Sequence, residues 1–202
     1  MALLKDRLQG RRLILASRSP RRRELLAGAG LDFELADNYE VEETYPAELP
    51  AREVPEYLAV LKSEAYPQAL GEEDILITAD TVVICGGHIF GKPAGREDAA
   101  AMLAELSGSR HTVVTGVALR TRGRMHSFSS ASDVRFRPLS GEEIAYYVDT
   151  CRPFDKAGAY GIQEWIGYVA IERIEGSFYN VMGLPTRRLY RELTDFIKKQ
   201  YT

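Results

Sequence analysis

The chain is 202 residues long, 45% hydrophobic and 27% charged, with a formal net charge of −3. That is ample apolar material for one domain, 1–202, and it excludes the broad basic field that would indicate a nucleic-acid partner. No apolar run approaches the roughly 18 residues that span a bilayer, residues 1–12 lack the pattern of a signal peptide, and two cysteines are too few for a disulfide framework, so a cytoplasmic protein without a membrane partner is expected.

Residues 1–10 read as a short amphipathic lead-in. A buried strand over 11–17, a polar turn and a helix over 20–29 follow. Ser19 is a good N-cap, because its hydroxyl can accept from an unpaired N–H of the first turn, and Pro20 suits the first helical position. The helix start is then a set of free N–H groups with a partial positive charge, flanked by Arg21, Arg22 and Arg23. Such a place suits an anion, most simply phosphate. Leu25, Leu26 and Ala29 form the apolar stripe. Arg22, three residues before Leu25, is expected on that stripe, pointing toward the interior or a cleft.

A brief strand is predicted at 33–35. The acidic, proline-bearing stretch 37–52 reads as a long loop, either solvated or functional. A helix is expected over 55–69, with Leu58, Leu61 and Ala65 at helical spacing and Lys62 beside them. Residues 74–85 read as a central strand, apolar on both faces but interrupted by Asp80. An Asp inside such a strand must be paired, hydrogen-bonded or holding a metal, so it is either a structural partner or a catalytic or metal-binding carboxylate.

Gly86-Gly87 predicts a tight turn into a strand at 88–90. The run from Gly86 to Lys92 satisfies G-x-x-x-x-G-K, but Pro93 replaces the Ser or Thr that would reach Mg²⁺ and no helix follows directly, so a P-loop is rejected. Lys92 keeps a phosphate role as a single charge. A helix over 96–106 presents Ala99, Met102, Leu103 and Leu106. Strands over 110–120 and 124–136 form an antiparallel hairpin. Ser140-Gly141-Glu142-Glu143 is a capping box opening a helix through 148. The glycines of Asp155-Lys156-Ala157-Gly158-Ala159-Tyr160-Gly161-Ile162-Gln163 permit close backbone approach to a ligand, or a tight turn against the core. A strand over 167–174 and an amphipathic helix over 186–200, with Leu189, Leu193, Phe196 and Ile197 inward, complete the chain.

This order gives an α/β or mixed α+β fold, with parallel pairs from the helical crossovers and at least one antiparallel hairpin. An arginine-rich helix start, an acidic loop, a carboxylate within a strand, and lysines at 62, 92 and 156 together suit phosphoryl chemistry. Carboxylates hold Mg²⁺ or Mn²⁺ or deprotonate water, and cations neutralise phosphate. His88, His111 and His126 lack zinc-site spacing, and no G-x-S-x-G is present. Cys85 reads as a core residue, and Cys151 has no base near it in sequence.

The run Ser17-Arg18-Ser19-Pro20-Arg21-Arg22-Arg23-Glu24-Leu25-Leu26 resembles the opening motif of the Maf family of nucleotide pyrophosphatases. Ala79-Asp80-Thr81-Val82-Val83, Gly91-Lys92-Pro93, Thr115-Gly116-Val117 and the stretch 155–163 follow in the family's order and approximate spacing. The resemblance implies a central twisted mixed sheet flanked by helices, with two lobes and a cleft between them, in the Maf/Ham1-like (ITPase-like) fold. It implies hydrolysis of a nucleoside triphosphate to the monophosphate and pyrophosphate with a divalent metal (Mg²⁺, Mn²⁺ or Co²⁺), and a homodimer. It makes Asp80 the proton acceptor. Arg21, Thr81 and Gln163 match substrate-specificity positions, and Ser17, Glu43, Lys62 and Lys92 match further polar positions of the cleft. Glu43 and Asp80 are the candidate metal ligands, and Arg22 joins Arg21 as a candidate substrate contact. The stretch 155–163 looks like the branch acting on dTTP and UTP. A Gln amide offers a donor and an acceptor together, as the edge of thymine or uracil requires. Trp165 is expected in the core or a dimer contact rather than stacked on a base. The competing readings are the same chemistry on 7-methyl-GTP or other non-canonical nucleotides, and a nucleotide-binding division regulator.

Overall fold

A computed structural model describes residues 3–198. In chain order the elements are α1 (Leu4–Arg7), β1 (Arg12–Ala16), α2 (Pro20–Gly28), β2 (Glu34–Leu35), α3 (Val54–Glu64), β3 (Asp74–Cys85), β4 (His88–Phe90), α4 (Arg96–Leu106), β5 (Arg110–Arg120), β6 (Met125–Phe136), α5 (Gly141–Cys151), a 3-10 turn (Ala157–Ala159), α6 (Trp165–Ala170), β7 (Ile171–Glu175), α7 (Phe178–Met182) and α8 (Thr186–Lys198). Among the described residues the strands form a mixed sheet of seven, ordered β2-β1-β3-β5-β6-β7, with β4 paired to β3. The mixed α/β class expected from the order of elements is the one found. By internal contacts the chain divides into two compact units. The first holds the chain up to Asp80, Thr115–Ser130 and the chain from Gly183; the second holds Thr81–Val114 and Ala131–Met182. No helix among the described residues is long and apolar enough to cross a membrane.

In the first unit β1 lies parallel to both β2 and β3, with Arg12 opposite Asp74 and Ala16 opposite Thr78. A charge fork fixes this register. Arg12 Nε donates to Asp74 Oδ1 at 2.9 Å and Nη2 to Oδ2 at 2.6 Å, while the Gly71 N–H donates to Oδ2 at 2.8 Å. The Arg12 fork holds the Asp74 carboxyl below the usual carboxylate range. Behind the fork, Ile14, Ala16 and Leu76 pack with Tyr66 and Leu70, and Tyr39 of the acidic loop closes over them. In α8, Leu189, Leu193, Phe196 and Ile197 are buried, as their spacing predicts; residues 199–200 of the expected helix lie outside the described residues.

In the second unit Gly86 and Gly87 take φ of 56° and 84°, the turn that returns β3 into β4. The capping box is in place: Ser140 Oγ accepts from the Glu143 N–H at 3.2 Å, and Glu143 Oε2 accepts from the Ser140 N–H at 2.9 Å. His111 is buried between Phe136 and Tyr160, its Nε2 2.8 Å from the Tyr160 hydroxyl. Burial pushes its pKa down to about 4, so the folded state holds this ring neutral while an unfolded chain protonates it near 6.5. Stability contributed by the neutral ring is present above pH 6.5 and is lost as pH falls toward 4. The loss is on the order of 3 kcal/mol at its limit. Urea unfolding midpoints measured between pH 7.5 and 4 should fall with acidification, and His111→Gln, which does not titrate, should flatten that fall.

Several elements differ from expectation. The α3 helix stops at Glu64 rather than 69, because Pro67 has no N–H to continue the ladder and disfavours helical geometry in the residue before it. The α5 helix runs three residues past 148 and ends where Arg152 takes φ 46° before Pro153. Residues 167–170, expected as strand, belong to α6; Ile166 and Ala170, four apart, are both buried, which is a helical spacing. The strand is confined to β7, and α7 occupies a stretch expected as a turn. Ser19 holds the N-cap position of α2, but its hydroxyl makes no capping bond. Its N–H donates instead to Ser17 Oγ at 3.3 Å.

Candidate active site

Three predicted charges of the first unit come together. Lys62 Nζ lies 2.6 Å from Asp80 Oδ1 and 3.0 Å from Glu43 Oε2. Local geometry accounts for the meeting. Thr78 Oγ1 donates to the Ala59 carbonyl at 2.6 Å, a buried bond that seats α3 against β3. Asp80 lies two residues beyond Thr78, on the same face of the strand. Lys62 lies three residues beyond Ala59, on the same face of the helix. Seating one pair therefore brings the other into register. Tyr39 brings in the acidic loop: its hydroxyl donates to the Lys62 carbonyl at 2.7 Å and its ring meets Tyr66 edge-on. Burial pushes the Tyr39 hydroxyl up to about 12, so it remains a donor. Sequence reasoning missed this residue; the only signal was an aromatic in the acidic loop, which Tyr45 shares. Asp80 is 8% exposed, whereas the Glu43 side chain is about half exposed at 48%.

Arg22 also belongs to this unit. Nε donates to the Gly183 carbonyl at 2.8 Å, and Nη1 donates to the Ala79 carbonyl at 2.8 Å and to Ser17 Oγ at 3.3 Å. Desolvation lowers its pKa from the usual arginine value, offset in part by the negative charges of Asp80 and Glu43. Arg22 thus ties the helix start to the strand residue preceding Asp80. Arg21 is half-buried and Arg23 is exposed.

The remaining predicted residues fall in the second unit. Thr81 is half-buried on β3, and Lys92 is exposed after β4. The Gly158 N–H donates to the Gly91 carbonyl at 3.0 Å, which ties the 155–163 stretch to the loop bearing Lys92. Gln163 sits in the turn before α6, and its Oε1 is buried with no hydrogen-bond donor among the described residues. Lys156 is buried and paired with Asp155 at 2.7 Å and Glu164 at 2.9 Å. The rings of Tyr146 and Tyr147 flank Trp165, with centroids 5.0 and 6.4 Å away.

No group of three or more His, Cys, Asp or Glu side chains among the described residues forms a cage for a metal ion. The donor set does fit a magnesium-like ion that arrives with its substrate. Such ions are held by one or two carboxylates, with phosphate oxygens and water completing the octahedron. Glu43 and Asp80 already converge on one cation, Lys62.

The family model for Maf-like protein matches residues 12–196. A dTTP/UTP pyrophosphatase of Bacteroides thetaiotaomicron is 54% identical over 181 residues, covering 90% of this chain and 94% of that protein. One of Porphyromonas gingivalis is 54% identical over 193 residues, covering 95% and 97%. One of Flavobacterium johnsoniae is 44% identical over 195 residues, covering 96% and 100%. Among solved structures, the Staphylococcus aureus Ham1 protein aligns with a TM-score of 0.49 at 16% identity, covering 95% of this chain and 100% of that one. With the family model spanning most of its length and relatives at about half identity along nearly all of it, the chain belongs to the Maf-like protein family.

Proposed function

We propose that the chain hydrolyses dTTP and UTP to the nucleoside monophosphate and pyrophosphate. The names of its relatives support the reaction, and the observation that carries the choice of base is Gln163. Its carbonyl oxygen is buried without a donor among the described residues, and leaving such an acceptor unsatisfied costs about 1–3 kcal/mol. Thymine and uracil carry an N–H flanked by two carbonyls. Gln163 can accept from that N–H while its amide N–H₂ donates to a neighbouring carbonyl. Cytosine offers an acceptor where uracil offers the N–H, so an amide held in this orientation would leave its oxygen unsatisfied.

Asp80 takes the proton of the attacking water. Its Oδ1 is held by Lys62, which fixes the carboxylate and leaves Oδ2 as the accepting atom. Glu43 and Asp80 are the residues that would hold a divalent metal, which when bound neutralises charge on the phosphates. Arg21, Ser17 and the N–H groups at the start of α2 bind phosphate. Lys62 and Lys92 stabilise the charge that gathers on the departing pyrophosphate. Thr81 is assigned with Gln163 to substrate selection.

Pyrophosphate release from dTTP, UTP, CTP, GTP and 7-methyl-GTP, each with Mg²⁺, Mn²⁺ or Co²⁺, tests the reading. dTTP and UTP should lead. Replacing Gln163 by Leu should cut kcat/KM for UTP about tenfold or more and leave the weaker CTP activity nearly unchanged. A flat profile over all five, or a proportional loss on every nucleotide in the variant, would remove Gln163 from base reading.

A further inference from the structure

Gln163 on its own does not choose uracil. A freely turning amide presents its N–H₂ as readily as its oxygen and would satisfy cytosine equally well. Discrimination therefore requires the side chain to enter the base site in one orientation, and that begins with a fixed backbone at the turn that carries Gln163, which is braced on both sides.

The bracing closes on itself. The Gly161 N–H donates to the Tyr147 hydroxyl at 3.0 Å, and that hydroxyl donates in turn to Glu164 Oε2. The Glu164 N–H returns to the Gly161 carbonyl at 3.0 Å. The second carboxylate oxygen, Oε1, takes the ammonium of buried Lys156 at 2.9 Å. Both oxygens of Glu164 are thus occupied by buried groups from two separate segments, α5 and the start of the 155–163 stretch. Packing is equally close. A Cβ placed on Gly161 would lie 2.8 Å from the Glu164 carboxyl carbon and 3.0 Å from Lys156 Cε, so the turn rests directly on the ion pair and a larger residue there would displace it. Tyr147 is fully buried, and burial together with the Glu164 bond pushes its pKa up, so it remains a donor to the carboxylate. Gln163 lies inside this ring of bonds, immediately before Glu164, and its own amide oxygen takes no part in it.

We infer that Glu164 is the positioning residue for base selection: through Tyr147 and Lys156 it locks the 161–164 turn, so that Gln163 presents its carbonyl oxygen, and not its amide N–H₂, to the pyrimidine edge. This rests on the reading of Gln163 given above. Glu164 touches no substrate. Replacing it releases the turn, lets the Gln163 amide rotate, and removes the preference for uracil without removing the ability to bind a nucleotide.

Equilibrium binding of UMP and CMP tests this without turnover. The single Trp165 lies over Tyr147 and α6 begins with it, so its emission reports both folding of the turn and occupancy. The wild type should favour UMP. Glu164→Gln, which keeps the volume but loses the charge that holds Lys156, should weaken UMP about tenfold and leave CMP within twofold. Tyr147→Phe, which keeps the ring but removes the hydroxyl joining Gly161 to Glu164, should do the same. With UTP, KM should rise while kcat stays within about twofold. A folded Glu164→Gln and Tyr147→Phe pair that both retain the wild-type UMP preference would overturn the inference. So would proportional weakening of UMP and CMP, which marks a merely structural role, or a wild type with no preference. A wild type that prefers UMP but releases no pyrophosphate from UTP or dTTP refutes the proposed hydrolysis and leaves the positioning role of Glu164 standing.

Discussion

Asp80→Asn should lower the rate of pyrophosphate release from UTP by about a thousandfold while nucleotide affinity, measured without divalent metal, holds or improves. The magnitude is that of removing a positioned general base, typically 10²–10⁴. The direction of the binding effect follows from charge. Asp80 is buried, and in the proposed reaction its negative charge faces a triphosphate that brings several more. Neutralising it removes repulsion and leaves Lys62 with Glu43, 3.0 Å away, as its remaining carboxylate partner. Asparagine preserves the shape, so Lys62 Nζ can still donate to the side-chain oxygen that replaces Oδ1. Single-turnover pyrophosphate release and equilibrium binding of a non-hydrolysable UTP analogue separate the two effects. A rate within tenfold of wild type would take the general-base role from Asp80. Unchanged chemistry with lost binding would make the carboxylate only the anchor for Lys62.

The same residue shows what could be read from the chain and what could not. An aspartate in the middle of an apolar run is conspicuous, because burying an unpaired carboxylate is costly, and the sequence therefore poses the question of its partner. It does not name the partner. Lys62 is eighteen residues earlier on a helix, and only the Thr78 hydroxyl on the Ala59 carbonyl sets the helix at the height where the two meet. Fold class, most strands and the inward face of α8 were legible, since periods of two and of 3.6 residues are local properties. Residues 165–170 were not. Their apolar run has no polar alternation to reveal its period, and the spacing of Ile166 and Ala170 becomes informative only once both are seen to be buried. The candidate charges were legible one by one. The brace around Gln163 was not, because Tyr147 comes from α5, away from Lys156 and Glu164, and in the sequence Lys156 groups with the lysines suited to phosphate rather than with a carboxylate partner.

Gly116→Ala should be strongly destabilising, at about 3–5 kcal/mol. The glycine lies on β5 where the start of α3 crosses it. A Cβ there would lie 2.2 Å from the Pro55 carbonyl oxygen and 2.3 Å from the Glu56 nitrogen. Both obstacles are backbone, so no rotamer change relieves the clash, and either the strand or the helix must move. Moving α3 is the easier course for a helix of 11 residues that ends at Glu64, but it carries Lys62 and the Ala59 carbonyl with it. The Thr78 bond then loses its acceptor geometry and Lys62 its reach to Asp80. The expected result is a melting temperature lower by roughly 6–20 °C, accompanied by a loss of pyrophosphate release at temperatures where the variant is still folded. Gly123→Ala, in the turn between β5 and β6 with no atom within 4 Å of the added carbon, should change stability by less than about 0.5 kcal/mol. Equal melting temperatures for the two variants would mean that α3 is not seated on β5 at Gly116. A destabilised Gly116→Ala with full activity below its transition would mean that α3 can shift without disturbing Lys62, and the link from this glycine to the charge cluster would fall.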